Sequence, residues 1–375
     1  MGAVIIGCGK ALPDREVAND DLQALVDTND EWISSRTGIF TRHIAVAESG
    51  LTLAAAAAAA ALGLDQRDTL KPAAQGWSAQ PIDPSSIDLV LFATVTPDVV
   101  VPSCAALVKR MLGLDRAVAM DINAACTGFI YGLTVAESML AASQSAPGAS
   151  SRTRCRRALV IGCDRLSRVT DWNDRNTCVL FGDGAGAAVV EWSDEKPGIR
   201  ASYLRNDDDE KNALTCANFI EAPQPFSPVG VDPAACEDAS LSGVDALLGI
   251  DEAVAAGGMR QVIRMDGRSI FKFASNAMTH AVEEVLERSG LTLDDIDCVI
   301  PHQANERIIK FAAKKLGLDL DAFQLSIANT GNTSSASVPM ALADAYCTGR
   351  VKEGDNVVLV AFGGGLTSGA VLFQV

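Results

Sequence analysis

At 375 residues, 48% hydrophobic and 21% charged, the chain has the composition of a folded protein with one large core or two ordinary ones. Its 47 acidic residues outnumber 31 basic ones for a net charge of −16, which argues against general nucleic-acid binding because phosphate neutralisation needs a basic face. Ten cysteines without a Cys-x-x-Cys pair argue against zinc and against a disulfide framework, and fit a reduced cytoplasm.

The opening Met1–Gly9 segment is too short for a signal peptide and lacks its basic region, and Ile6 breaks the myristoylation pattern. No apolar run is expected to reach the roughly 20 residues of a membrane span. Strand-like apolar runs then alternate with helical ones, the pattern of a layered α/β protein. Val4–Gly7 and Asp88–Ala93 read as strands, and Leu51–Leu64, with its eight-alanine tract, as a closely packing helix. Thr127–Ala142 follows as a helix, then strands at Ala158–Gly162 and Ala185–Val190. Asn276–Ser289 is helical, and Cys298–Ile300, Asn356–Ala361 and Ala370–Phe373 are strands. Three stretches, 71–85, 143–157 and 206–258, read as surface insertions, the last carrying Asp207-Asp-Asp-Glu210.

The chain echoes itself. Ser86-Ile-Asp-Leu-Val90 is similar to Asp295-Ile-Asp-Cys-Val299, and Leu180–Val190 to Ala361–Val371. Two halves follow, 1–195 and 196–375, whose chemical groups would meet at one crevice.

Cys126 stands in Asn123-Ala-Ala-Cys-Thr-Gly128, at the mouth of a helix-periodic run. A helix opening there would favour the thiolate and lower the thiol pKa. Most cysteines are inert core residues, and the other nine are read that way. His302, one of three histidines, follows the strand ending at Ile300, where α/β proteins expose reactive side chains. Asn332 lies in a polar loop that runs straight into a helix at Val338–Leu342. Gly363-Gly-Gly365 suits a close backbone approach that offers an N–H to a developing oxyanion. Neither Gly7-Cys-Gly9 nor Gly182-Asp-Gly184 has the context of a dinucleotide loop.

Together with Asp30-Glu-Trp-Ile33, Arg36-Thr-Gly-Ile39, Phe181-Gly-Asp-Gly-Ala185, Pro301-His-Gln-Ala-Asn305 and Gly331-Asn-Thr-Ser334, these segments resemble β-ketoacyl-acyl-carrier-protein synthase III. The resemblance implies a thiolase-like, duplicated five-layer αβαβα fold and a homodimer. It implies decarboxylative condensation of an acyl-CoA with malonyl-acyl-carrier-protein, with coenzyme A thioester as substrate and neither cofactor nor metal. Cys126 would be the acylated nucleophile, His302 and Asn332 the donors to the malonyl carbonyl, and Gly364 an oxyanion N–H, with Phe362 shielding the decarboxylating group. Trp32 and Arg175 would sandwich the adenine, with Arg36 on the phosphates and Asn305 nearby. Gln303, Arg307, Lys310, Lys314, Lys315 and Lys272 would dock the carrier.

The sequence departs from that family at several points. Glu306 interrupts the basic face, and Asp266 and Arg268 replace small or amide residues near the coenzyme channel. Leu366 and Ser368 replace aromatics, and Val100-Val101-Pro102 offers aliphatic side chains where a phenylalanine restricts the acyl pocket. Two other readings stay open: a specialised acyltransferase or condensing enzyme of secondary metabolism, and a non-catalytic acyl-CoA-binding homologue.

Overall fold

The computed structural model describes residues 1–64, 74–145, 155–209, 211–216 and 262–375. Fourteen strands lie among these residues. The first eight are β1 (Gly2–Ala11), β2 (Glu16–Ala18), β3 (Thr41–His43), β4 (Ala74–Ser78), β5 (Leu89–Ala93), β6 (Val118–Ile122), β7 (Arg157–Arg165) and β8 (Asp183–Ser193). The rest are β9 (Ile199–Asn206), β10 (Leu214–Thr215), β11 (Arg264–Met265), β12 (Cys298–Pro301), β13 (Asn356–Gly363) and β14 (Thr367–Gln374).

One sheet runs in the order β4-β1-β8-β7-β5-β6, with β5 parallel to both β6 and β7. The other runs β12-β13-β14-β9, with β12 parallel to β13. Alternation along each strand divides the core. Leu89, Leu91 and Val160 face one side of the first sheet, while Val90, Phe92 and Ile161 face the other. In β13, Val357, Leu359 and Ala361 point inward and Val358, Val360 and Phe362 outward, the period of two that a pleated strand imposes.

Helices Gly128–Gln144 and Ser337–Cys347 share one core with the inner faces of both sheets. Helices Gly50–Ala61 and Cys104–Met111 cover the outside of the first sheet. Helices Gly267–Ser289 and Glu306–Leu316 cover the outside of the second. The layers are therefore α, β, α, β, α, the thiolase-like arrangement. The alanine tract earns its place by close approach: a side chain at Gly9 would lie 2.3 Å from the Ala57 carbonyl oxygen. That helix begins with a capping box between Ser49 and Thr52.

Three expectations need correction. The stretch 71–85 is not simply an insertion: β4 within it is an edge strand that pairs antiparallel with β1, and its short half-exposed run gave no alternation to read. In the other two stretches, Arg157 already belongs to β7, Asn206 ends β9, and 214–215 form β10, while 146–154, 210 and 217–258 lie outside the described residues. The segment 125–144 is also long and apolar enough to cross a membrane. Here Phe129, Ile130, Leu133, Ala136 and Leu140 are spent in the central core instead.

Candidate active site

The parallel strands β5, β6 and β12 all point their C-terminal ends at one cleft of about 1640 Å³, between residues from both sheets. That exceeds the roughly 300–1,000 Å³ of ordinary small-molecule sites and suits an elongated ligand. Cys126, His302, Asn332, Phe362 and Gly363–Gly365 all line it.

Cys126 sits in the 3-10 turn Ala125–Thr127, directly before helix Gly128–Gln144, as the sequence implied. Ala125, its predecessor, has φ +47°, a left-handed conformation rare for a side-chain-bearing residue. Backbone crowding accompanies it: a side chain on Gly363 would come within 2.7 Å of the Cys126 nitrogen, so only glycine lets β13 approach Cys126. The expected lowering of the thiol pKa is not found. Cys126 keeps part of its surface open to the cleft, yet burial pushes its thiol up to about 12. The Ser334 side chain opposes that shift, and the charge of Asp164 adds to it. Desolvation outweighs the field of the helix end because the sulfur has little water to support its anion.

His302 is 1% exposed, and burial pushes its imidazole pKa down to about 3, so the ring is neutral. Its Nδ1 lies 2.6 Å from Ser337 Oγ. That hydroxyl oxygen also accepts the Gln303 N–H at 3.4 Å, so Ser337 holds both the ring and the backbone beside it. Phe362 meets the ring edge-on at 5.2 Å. Asn332 is fixed from both ends: its N–H donates to Leu180 and its carbonyl accepts from Gly182. Its Oδ1 accepts the Ser334 N–H at 2.9 Å, which turns Nδ2 into the free donor. The floor thus holds one thiol and two neutral donors.

At the mouth the structure brings Trp32, Arg36 and Arg175 together. Arg175 lies 4.0 Å over the Trp32 ring and Arg36 4.7 Å. Arg175 stacks on the indole directly and faces Asp27 at 3.8 Å, so a ring inserted between them must first displace the guanidinium. Asn305 lines the cleft while capping helix Glu306–Leu316 through Arg307 N–H.

Of the expected docking residues, Arg307, Lys310, Lys314, Lys315 and Lys272 are exposed. Lys310 is paired with Glu306 at 2.8 Å, and Lys315 donates to Asn276. Gln303 is a correction. It is fully buried, its amide donates to Pro301 and Gln324 carbonyls, and its oxygen accepts Ser326 and Ile327 N–H groups. With four protein bonds it braces the loop and meets no partner. Val100 and Val101, 67% and 85% exposed, are not among the cleft-lining residues, so in one chain they set no acyl pocket. Arg268 and Asp266 both line the cleft, and Asp266 also caps helix Gly267–Ser289.

The roles of Ser337 and Ser334 were not expected from the sequence, where only the Ser-rich run before Pro339 hinted at them, whereas the close backbone approach expected at Gly363-Gly-Gly365 is found at Gly363. No cluster of metal-ligating side chains is present among the described residues.

Comparison with known proteins agrees with this geometry. Residues 120–208 match the family model for 3-oxoacyl-[acyl-carrier-protein] synthase III, and residues 286–375 match the model for its C-terminal part. The β-ketoacyl-[acyl-carrier-protein] synthase III of Clostridium acetobutylicum is 40% identical over 372 residues, covering 99% of this chain and 98% of the relative. That of Brucella suis is 40% identical over 379 residues, covering 99% of each. The crystal structure of 3-oxoacyl-[acyl-carrier-protein] synthase III from Aquifex aeolicus superposes with TM-score 0.80 at 37% identity over 100% of both chains. The priming β-ketosynthase of the R1128 polyketide pathway superposes with TM-score 0.79 at 31% identity, covering 100% of this chain and 96% of that one.

Proposed function

The chain belongs to the 3-oxoacyl-acyl-carrier-protein synthase III family of condensing acyltransferases, and we propose that it condenses an acyl-CoA primer with malonyl-acyl-carrier-protein to open type II fatty acid synthesis. The observation that carries this reading is the convergence of a thiol and two neutral donors, His302 and Asn332, on one elongated cleft.

Cys126 Sγ attacks the thioester carbonyl, and the coenzyme leaves as a thiol carrying the proton that the cysteine gave up. A thiol held well above its ordinary range is a weak acid but, once ionised, a strong nucleophile. Malonyl thioester then enters and loses carbon dioxide, and its carbonyl oxygen becomes an enolate. His302 Nε2–H and Asn332 Nδ2–H stabilise that oxygen. Because both donors are neutral, they do so without delivering a proton to the carbanion. The carbanion attacks the acyl-cysteine, the resulting oxyanion is met by the N–H groups of Cys126 and Gly364, and collapse frees the 3-oxoacyl product and the cysteine thiolate, which takes one proton from water to become the thiol again. Phe362, edge-on to His302, keeps water from the decarboxylating group.

Trp32, Arg36, Arg175 and Asn305 receive the coenzyme, with stacking and guanidinium forks suited to adenine and phosphate. Arg307, Lys314 and Lys272, exposed on neighbouring helices, form the landing surface for the acidic carrier, with Lys310 and Lys315 at its edge. The chain works as a homodimer in the cytoplasm. Among the described residues strand β6 has a strand partner on one side only, and its Val118 is exposed, as are Val100, Val101 and Met111. The halves 1–195 and 196–375 act as duplicated units; one sheet draws its strands only from residues 2–193 and the other only from 199–374.

Incubation with acetyl-, butyryl- and isobutyryl-CoA, followed by intact mass measurement, tests the first half-reaction. Adding malonyl-acyl-carrier-protein tests the second through carbon dioxide release. An adduct at Cys126 that disappears as product forms is expected; no adduct with any thioester would sink the ping-pong route. The likeness to a polyketide priming synthase favours a second reading, starter condensation in secondary metabolism. A strong preference for a larger primer in the same assay would select it.

A further inference from the structure

We propose that Asp164 is a positioning residue for the condensation, clamping Ser335 so that the loop carrying Asn332 and Ser334 keeps its place beside Cys126. This rests on the reading of Asn332 as an enolate donor.

Asp164 lies in β7, fully buried, and no cation pairs with it among the described residues. Its two oxygens serve two different loops. Oδ1 accepts from Val95 N–H at 2.7 Å, Thr94 Oγ1 at 3.0 Å, Thr96 Oγ1 at 3.1 Å and Thr96 N–H at 3.2 Å. Among the described residues Oδ2 accepts only from Ser335, through Oγ at 2.7 Å and N–H at 3.1 Å. One carboxylate therefore joins the cleft wall after β5 to a loop that lies 171 positions beyond Asp164 in the chain.

Ser335 is three residues beyond Asn332, and the residue between it and Thr333 is the strained one. Ser334 has φ +53°, and a side-chain-bearing residue there costs about 1–3 kcal/mol unless its surroundings over-determine it. That same Ser334 N–H fixes the Asn332 amide oxygen, and its side chain meets the Cys126 thiol. The strained turn is anchored through Ser335, whose N–H bonds Asp164 and whose hydroxyl has two acceptors, Asp164 at 2.7 Å and the Ala93 carbonyl oxygen at 3.0 Å. Close packing supports it from below: a side chain on Gly162 of β7 would fall 2.2 Å from the Ser335 carbonyl oxygen, so the loop lies directly on the strand.

Six donors converging on one side chain require a group that only accepts. In D164N the amide oxygen stays with the four donors of residues 94–96, and the new NH2 is turned against Ser335 N–H. The substitution thus loosens one loop and spares the other.

The test separates the half-reactions of the purified full chain in D164N, T94V and N332A, reading Cys126 acylation by mass and malonyl-thioester decarboxylation by carbon dioxide release. A displacement of about 1 Å can cost about 10²-fold in rate. D164N is expected to lower the decarboxylation kcat by about that factor, with KM little changed and acylation retained. T94V, which removes a bond to Oδ1, should lower the melting temperature without altering the ratio of the two rates. Should D164N fold poorly, D164A decides by rescue: formate added to the same sample restores decarboxylation if the missing carboxylate is the cause. Wild-type decarboxylation in D164N beside a slow N332A, a parallel loss of both half-reactions, or no formate rescue of D164A overturns the proposal. A fast N332A overturns the enolate reading itself, and the positioning role with it.

Discussion

The floor of the cleft and its mouth are built on opposite electrostatic terms. At the floor, Cys126, His302 and Asn332 are enclosed, and His302 and Asn332 each have a fixed protein partner. Burial there decides charge, raising the thiol to about 12 and lowering the imidazole to about 3. At the mouth, Arg36, Arg307 and Lys314 stand in water. Exposed charges of that kind contribute little pairwise and act through a field screened over about 8–10 Å at physiological salt. Chemistry and capture are thereby separated: changes at the floor should fall on kcat, and changes at the mouth on KM and salt dependence.

The sharpest way to break this comparison is C126A. We expect complete loss of the acyl adduct and of condensation, and an adduct on the variant would move the nucleophile elsewhere. Next, H302A or N332A should each slow malonyl decarboxylation by about 10²–10³-fold, as removal of an oxyanion donor does elsewhere, while the acyl adduct still forms. Adduct formation falling by the same factor would deny the division of labour.

Acid provides the third probe. His302 has a folded pKa of about 3 against an ordinary 6.5, so the unfolded chain binds the extra proton first. The stability is fully present above about pH 6.5 and is lost as pH falls from there toward about 3, by about 1.4 kcal/mol per unit of displacement once the unfolded histidine is protonated. Urea midpoints measured from neutral pH downward should therefore drop more steeply in the wild type than in H302Q; equal slopes would mean that burial does not hold the ring neutral.

The mouth should answer more weakly. W32A is expected to raise KM for acyl-CoA about tenfold, the value of one lost base stack, at unchanged kcat. A kcat effect would tie the mouth to the chemistry. Smallest of all, R307E with K314E should raise KM for the carrier a few-fold at low salt and hardly at high salt. Salt-independent loss would point to packing rather than steering.

Much of this was legible in the chain. The strand pattern of β13 is visible because a pleated strand repeats every two residues, so Val357 to Phe362 sort themselves onto two faces. Cys126, His302 and Asn332 stood out through short local motifs. The edge strand β4 was misjudged because half-exposed edge residues carry no hydrophobic period. Gln303 was misread for a different reason: its neighbours suggested a rim, but four backbone groups, three of them more than twenty residues away, claim its amide.

By itself the sequence determined the layered α/β class and the family, and it singled out the three side chains proposed for the chemistry, since periodicity and local motifs are properties of neighbouring residues. Only the tertiary structure decided their protonation and orientation. The pKa of Cys126 follows from how little water reaches it, the orientation of the His302 ring from Ser337, and the amide face of Asn332 from a strained Ser334. The bonds from Ser335 to Asp164 span 171 positions, and contacts made across that distance leave no pattern along the chain.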